Sequence, residues 1–342
     1  MLTGVSAIAL CLGMPAAANA GSLTIEAEGA WLQPFGDEVI YGELLELTPT
    51  AIYSHQTIDR GEDYSGRGQV TWHLNDWLSV SGGGGAAKFG NSATATHADL
   101  YYQLPNTFLF PQIVTVPEFV GLCPQICEQV YTDGSAQLDT DIEFYDFDVG
   151  ADVGIGRNGT ARFFAGVRYV RFDESLRAAF SNFAYFAYYY QTLDSKRVSS
   201  FEGWGPRVGF TADVPIGSSN FSFGGTVAFA ALFGDVKTNI TSTHTSFFSG
   251  PDTFTQSSSS SKTAYSVEVA PQISYTLNGE NISARISAGY RFDHYLGIVD
   301  TATRQMIAGT PPGGDPTDDA KFDGPFLRVG VKFGSSYSGG QP

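Results

Sequence analysis

Phe201-Glu-Gly-Trp-Gly-Pro-Arg-Val-Gly-Phe-Thr-Ala-Asp-Val-Pro215 runs through Ile-Gly-Ser-Ser-Asn220 into Phe221-Ser-Phe-Gly-Gly-Thr-Val-Ala-Phe-Ala-Ala-Leu-Phe-Gly-Asp235. Taken at period two, Trp204, Pro206, Val208, Phe210, Ala212 and Val214 share one face. Gly203, Gly205, Arg207, Gly209, Thr211 and Asp213 share the other. After the Gly/Ser/Asn turn the pattern resumes, with Phe221, Phe223, Val227, Phe229, Ala231 and Phe233 opposed to Ser222, Gly224, Thr226, Ala228 and Ala230. The pair reads as a long hairpin with one greasy face and one wet or crowded face. Soluble strands are typically about 5 to 6 residues long. These run well past that and carry aromatics near their ends, as a tilted strand crossing hydrocarbon does.

The composition agrees. The chain of 342 residues holds 40 Gly, 17 Tyr and 26 Phe without a compositional seam, which favours one large β-structure over two soluble domains. Charged residues make up 16% and aromatics 14%, which excludes a disordered chain. No run of about 18 apolar residues follows the start, so a helical span is not expected; alternation hides a barrel from that test. Val5 to Met14 and Ala18-Asn19-Ala20 read as the core and cleavage site of a signal peptide, although no Lys or Arg precedes them. The expected organisation is a signal peptide over 1–20, a barrel over 21–333 and a tail over 334–342.

Outward from the opening hairpin, alternation recurs at Leu23 to Gln33, Tyr64 to His73, Trp77 to Phe89, Leu138 to Ile155, Ala161 to Tyr169, Tyr265 to Tyr275, Ile282 to Phe292 and Phe322 to Phe333. Asn158-Gly159 and Asn278-Gly279 are hairpin turns between such runs. Pro105 to Gln137, Ser175 to Lys196, the Ser/Thr-rich Thr238 to Ser261, and Gly297 to Ala320 read as long loops. Short turns alternating with long loops are the build of an outer-membrane barrel. The expected fold is therefore an all-β, transmembrane, antiparallel up-and-down barrel. Twelve strands are expected, with Glu38 to Leu47 and Ala93 to Leu104 in the wall; ten, without them, is the alternative.

The polar phase carries Arg162, Arg168, Arg207, Arg285, Arg291, Arg328 and Lys332 against Asp146, Asp148, Asp152, Asp213, Glu268 and Asp293. The formal net charge of -16 must then sit largely in loops and rims. Asp141 and Glu143 share the outward phase of Tyr145 and so mark where the lipid band ends. The inward charges admit two readings. They pair across the barrel and fill it, because unpaired buried charge is costly, or they line a watery passage whose field sorts solutes. Glycines at 203, 205, 209, 224 and 289 suggest room for water, and an acidic mouth would concentrate cations. The residues expected to line a pore are Asp146, Asp148, Asp152, Arg162, Arg168, Arg207, Asp213, Glu268, Arg285, Arg291, Arg328 and Lys332.

Other chemistry finds little support. No Gly-x-Ser-x-Gly elbow is present, and the histidines at 55, 73, 97, 244 and 294 are scattered. His294 reads as an interfacial polar residue. Asp146, Asp148 and Asp152 lack the glycine and terminal glutamate of a calcium loop, and no phosphate loop or nucleic-acid patch appears. No enzyme, metal or cofactor is expected. Cys123 and Cys127 read as a local loop disulfide of an exported protein; zinc would need further ligands and a redox pair a shorter spacing.

Phe201-Glu-Gly-Trp-Gly-Pro-Arg-Val-Gly-Phe resembles the Phe-x-Gly-x-Gly-Pro-Arg-x-Gly signature of the Legionella major outer membrane protein family of pore-forming proteins. Ala230-Ala-Leu-Phe-Gly, Phe164-Ala-Gly-Val-Arg-Tyr, Tyr145-Asp-Phe-Asp-Val-Gly, Ser287-Ala-Gly-Tyr-Arg and Cys123-Pro-x-x-x-Cys127 are similar in kind and order. The resemblance implies a single-chain outer-membrane porin, with a homo-oligomer allowed. Phe333 resembles the terminal Phe of the barrel-assembly signal but is followed by nine more residues. The function expected is passive diffusion of small hydrophilic solutes or ions across the outer membrane of a Gram-negative cell. The alternative is a non-conducting structural or adhesive barrel acting through its loops. The partners expected are outer-membrane lipid, lipopolysaccharide and small solutes, without nucleic acid.

Overall fold

A computed structural model describes residues 21–34, 39–46, 52–58, 60–96, 101–103, 130–131, 133–156, 159–183, 190–246, 250–299 and 319–334. The first 20 residues, the residues after 334, Cys123 and Cys127 lie outside them. The strands in chain order are β1 (Leu23–Pro34), β2 (Val39–Glu46), β3 (Ile52–Ile58), β4 (Asp63–His73), β5 (Leu78–Thr96), β6 (Tyr101–Gln103) and β7 (Val130–Tyr131). They continue with β8 (Asp133–Ile155), β9 (Gly159–Phe183), β10 (Tyr190–Pro215), β11 (Phe221–Ser246), β12 (Asp252–Asn278), β13 (Ile282–Leu296) and β14 (Ala320–Phe333).

Ten of these close into one antiparallel barrel in the order β1-β14-β13-β12-β11-β10-β9-β8-β5-β4, with β1 paired to β4 from Leu23↔Trp72 to Leu32↔Asp63. Ten is the alternative count and replaces the expected twelve, because the two extra segments pair with each other outside the wall. Within the Glu38 to Leu47 segment, Val39–Glu46 forms β2 in a separate four-stranded sheet, β3-β2-β6-β7. Ala93 to Leu104 is divided between the end of β5 and the short β6. That second sheet is built from the two connections β1 to β4 and β5 to β8, both on the long-loop side. Val39 and Ile58, at its base, are buried with Leu138, Leu176 and Leu193 of the barrel wall.

The short-turn end is fixed by local chemistry. Asn75 Oδ1 accepts hydrogen bonds from the backbone N–H of Trp77 (3.0 Å) and Leu78 (2.8 Å), closing the turn between β4 and β5. Gly217, at φ 62°, supplies the left-handed residue between β10 and β11. On the opposite side the strands differ greatly in height. β8 to β12 have 23, 25, 26, 26 and 27 residues, whereas β1, β4, β13 and β14 have 12, 11, 15 and 14. Ser175 to Lys196 and Thr238 to Ser261, read from sequence as loops, are therefore mostly strand. Val236 and Ile240 bury on the inner face there, and Thr243 and Thr253 join across β11 and β12 through their hydroxyls (3.1 Å).

Sidedness follows the period of two. Trp204, Val208, Phe210, Val214, Phe223, Phe229, Ile273, Ile286 and Leu327 all point outward and are exposed. On β10 this apolar face runs from Trp204 to Val214, matching the roughly 9–11 residues that a tilted strand needs to cross hydrocarbon. Three outward-facing prolines interrupt the ladders. The β10·β11 register skips from Trp204↔Phe233 to Arg207↔Ala230 at Gly205-Pro206. The β12·β13 register skips at Ala270-Pro271, and β14·β1 skips at Gly324-Pro325. Proline has no N–H to give to a ladder, so each break falls where its chemistry requires.

Candidate functional site

The inward faces at the depth of the apolar band meet in one charged cluster. Glu268 on β12 is its centre. One carboxylate oxygen takes Arg67 of β4 and Arg291 of β13 (3.2 Å), and the other takes Arg168 of β9 (3.0 Å) and Arg207 of β10 (3.4 Å). Asp146 holds Arg168 in a two-pronged pair at 2.6 and 2.8 Å, and Asp148 pairs with Arg207. Glu28 on β1 bridges Arg291 (2.7 Å) and Arg328 of β14 (2.6 Å), while Asp293 lies 3.7 Å from Arg291. Five guanidinium groups thus face five carboxylates: Arg67, Arg168, Arg207, Arg291 and Arg328 with Glu28, Asp146, Asp148, Glu268 and Asp293. Charge balance is what makes such burial tolerable, since removing either sign would leave the other in a poorly solvated place.

Aromatic rings complete the section. Phe144 lies under Arg67 (4.3 Å) and Arg168 (5.3 Å), Phe164 under Arg207 (4.6 Å), and Phe326 between Arg291 and Arg328. Each ring needs a neighbour without a side chain. A Cβ built on Gly209 would stand 2.5 Å from Phe164 Cζ, and one on Gly289 would stand 2.7 Å from Phe326. Gly85 in the Gly82 to Gly85 run seats Phe144 in the same way, and Gly203 seats Phe201. The inward glycines at 203, 209 and 289 therefore hold aromatic rings rather than water. Physically, a flat ring leaning across the adjacent strand needs the missing Cβ.

Little solvent reaches this level: Glu268 is 1% exposed, and Arg168 and Arg291 are 2% exposed. On the short-turn side the interior opens into a cavity of about 920 Å³ that extends from Asp146, Arg207 and Glu268 to the turns at Asn75, Ser218 and Asn278. On the other side, between Arg67, Arg291 and Phe322, the space falls to about 20 Å³. Beyond it the lumen is packed with Phe89, Phe172, Phe201, Leu232, Val236 and Phe322, the rings of Phe89 and Phe322 stacked at 4.5 Å. A second buried ion cluster follows, in which Glu174 binds Arg60 and Arg197, both at 2.8 Å.

The twelve residues singled out from sequence separate into two groups. Asp146, Asp148, Arg168, Arg207, Glu268, Arg291 and Arg328 belong to the central cluster. Asp152, Arg162, Asp213, Arg285 and Lys332 line the 920 Å³ cavity. There Arg162 donates to Ser79 (2.9 Å) and Ser81 (3.0 Å), Arg285 pairs with Asp213, and Asp152 meets His73 at 3.2 Å. Glu28 and Arg67 escaped the sequence reading. Their signal was present, since Glu28 stands opposite the phase of Trp31, and Arg67 opposite that of Tyr64 and Trp72. The register makes Arg67, Glu28 and Arg328 neighbours on one rung. His294 is 3.1 Å from Asp319, whose other oxygen accepts the Gly297 N–H; the pair fastens the end of β13.

A profile of the family described as "Legionella pneumophila major outer membrane protein precursor" matches residues 96–333. No curated protein matches the chain. Among solved structures, the outer membrane protease OmpT of Escherichia coli aligns at 11% identity and TM-score 0.42, over 92% of this chain and 97% of its own. The Ail attachment invasion locus protein of Yersinia pestis aligns at 12% identity and TM-score 0.24, covering 92% and 99%. The translocator domain of the autotransporter NalP from Neisseria meningitidis aligns at 9% and 0.19, covering 92% and 89%.

Proposed function

We propose, for a chain that belongs to the Legionella pneumophila major outer membrane protein family and lies in the outer membrane, that the barrel is closed to free diffusion and acts through the wall it raises outside the cell. The observation that carries this reading is the burial of Glu268, Arg168 and Arg291, at 1–2% exposure, in the middle of the barrel. A water-filled passage would leave those guanidinium groups wet. The reading involves no catalytic step. It favours a structural or surface-contacting barrel, with β8 to β12 as the part presented to the exterior.

A second reading keeps the diffusion pore. The cavity of about 920 Å³ on the periplasmic side is polar and stops at the charged cluster. Displacing that cluster and the apolar layer above it would join the cavity to the exterior. Single-channel recording in planar bilayers separates the two. Under the closed reading, folded wild-type protein is silent at all moderate voltages. Discrete steps from the wild type, with ion selectivity altered by Arg168→Ala and Arg207→Ala, would instead establish passive diffusion of small solutes or ions.

A further inference from the structure

The ion cluster above the apolar layer does not balance. Among the described residues, Glu174 of β9 is the one carboxylate paired with Arg60 (Nε at 3.1 Å, Nη2 at 2.8 Å) and with Arg197 of β10 (Nη2 at 2.8 Å). All three side chains are buried. Two guanidinium groups therefore share one carboxylate, whereas the central cluster sets five against five. A guanidinium keeps its proton inside a protein, so burial cannot neutralise the surplus as it can for a lysine. Three donors are also left over: Arg60 Nη1, Arg197 Nε and Thr140 Oγ1 are buried and make no hydrogen bond. Thr140 of β8 is the direct register partner of Glu174, and Arg197 stands one inward position beyond Ser199, the partner of Glu174 on β10. Surplus charge and free donors thus occupy one level of the lumen. It lies between the apolar groups around Phe172 and Val236 and those around Leu138, Leu176 and Leu193. Arg60 is held at this level by the backbone, because Gly61 (φ 78°) turns the chain so close to β5 that a Cβ there would stand 2.5 Å from the Gly90 carbonyl oxygen.

We propose that this level is a binding site for one small monoanion, a halide such as chloride, held by Arg60, Arg197 and Thr140. A single negative charge brings the cluster to two against two. Water satisfies the free donors but leaves the charge, and an unmatched buried charge is strongly destabilising. A divalent oxyanion such as sulfate reverses the imbalance and gives up more hydration on entry. Arg60 follows Ile58, the buried end of β3, and precedes β4. The anion is therefore a structural ligand that ties the base of the second sheet to β9 and β10. This site goes beyond the function proposed above and does not depend on whether the barrel conducts.

The test refolds the full chain into phosphatidylcholine vesicles in chloride, bromide, sulfate or the bulkier methanesulfonate at one ionic strength, and reads the folded-to-unfolded ratio from urea titration. That ratio should grow about tenfold for each tenfold rise in chloride once the site is mostly filled, the limit for one bound ligand. Bromide should match chloride, and sulfate and methanesulfonate should give no such slope. Arg197→Gln leaves Arg60 paired one to one with Glu174 and should flatten the dependence; Arg60→Gln should do the same and serves if the first variant does not fold. In wild-type crystals grown with bromide, anomalous scattering should place one ion against Arg60 Nη1 and Arg197 Nε, a readout that needs no variant. A wild type indifferent to chloride, a slope that survives in the Gln variants, or bromide found only at the protein surface overturns the proposal.

Discussion

The same strands obey opposite rules in their two halves. Within the membrane, β8 turns Tyr145, Phe147 and Val149 outward and Asp146 and Asp148 inward; farther out it turns Asp139 and Asp141 outward and Leu138 and Ile142 inward. β9, β10 and β11 invert at the same rung. The lower half is a membrane barrel with a charged heart, and the upper half is a β-structure with wet walls around a largely apolar core that encloses one ion cluster, Glu174 with Arg60 and Arg197. The backbone phase never changes, so the inversion lies entirely in which side chains the solvent selects. Hydrocarbon accepts Phe163 and Val208, while water outside accepts Arg177 and Ser259.

Four substitutions put this contrast to the test, each measured as unfolding free energy or midpoint in lipid vesicles. The largest effect is expected from Glu268→Ala in the lower interior. It leaves four guanidinium groups around an empty centre, at a cost of about 3–5 kcal/mol, or no folded band at all. A near-neutral result would mean that water already reaches the cluster. Next, Val208→Arg on the outward face near the middle of the band should cost about 2–4 kcal/mol. In the upper interior, Ile240→Val should cost about 0.5–1.5 kcal/mol, as in a packed core, whereas a water-filled upper lumen would register no change. The smallest effect belongs to Ser175→Arg, on the outward face above the inversion, expected within about 0.5 kcal/mol of wild type. If Ser175→Arg proved as costly as Val208→Arg, the lipid boundary would have to be redrawn.

This contrast also explains what could be read in advance. All ten wall strands were legible because their membrane halves alternate Phe, Val and Trp with Asp, Arg and Gly. The outer halves were not, since Thr241, Thr243, Ser257 and Ser259 carry no apolar outward residue and look like loop. A fainter signal remained in Leu176, Ala178 and Phe180, apolar at every second position on the inner face, and in Val236 and Ile240 on the same face either side of Thr238. For Ser257 to Ser261 no such phase exists, and only pairing with β11 reveals the strand. In the candidate site, the inward phase of Arg168 and Glu268 was visible, but their meeting was not. They are 100 residues apart, and the closed register of the barrel decides which levels coincide.

The three proline interruptions fall at β10·β11, β12·β13 and β14·β1, leaving β11–β12 and β13–β14 as hairpins bounded by an interrupted ladder on either side. Under slow exchange with heavy water, opening within each of these three ladders should begin at the unpaired rung beside the proline and spread outward from it.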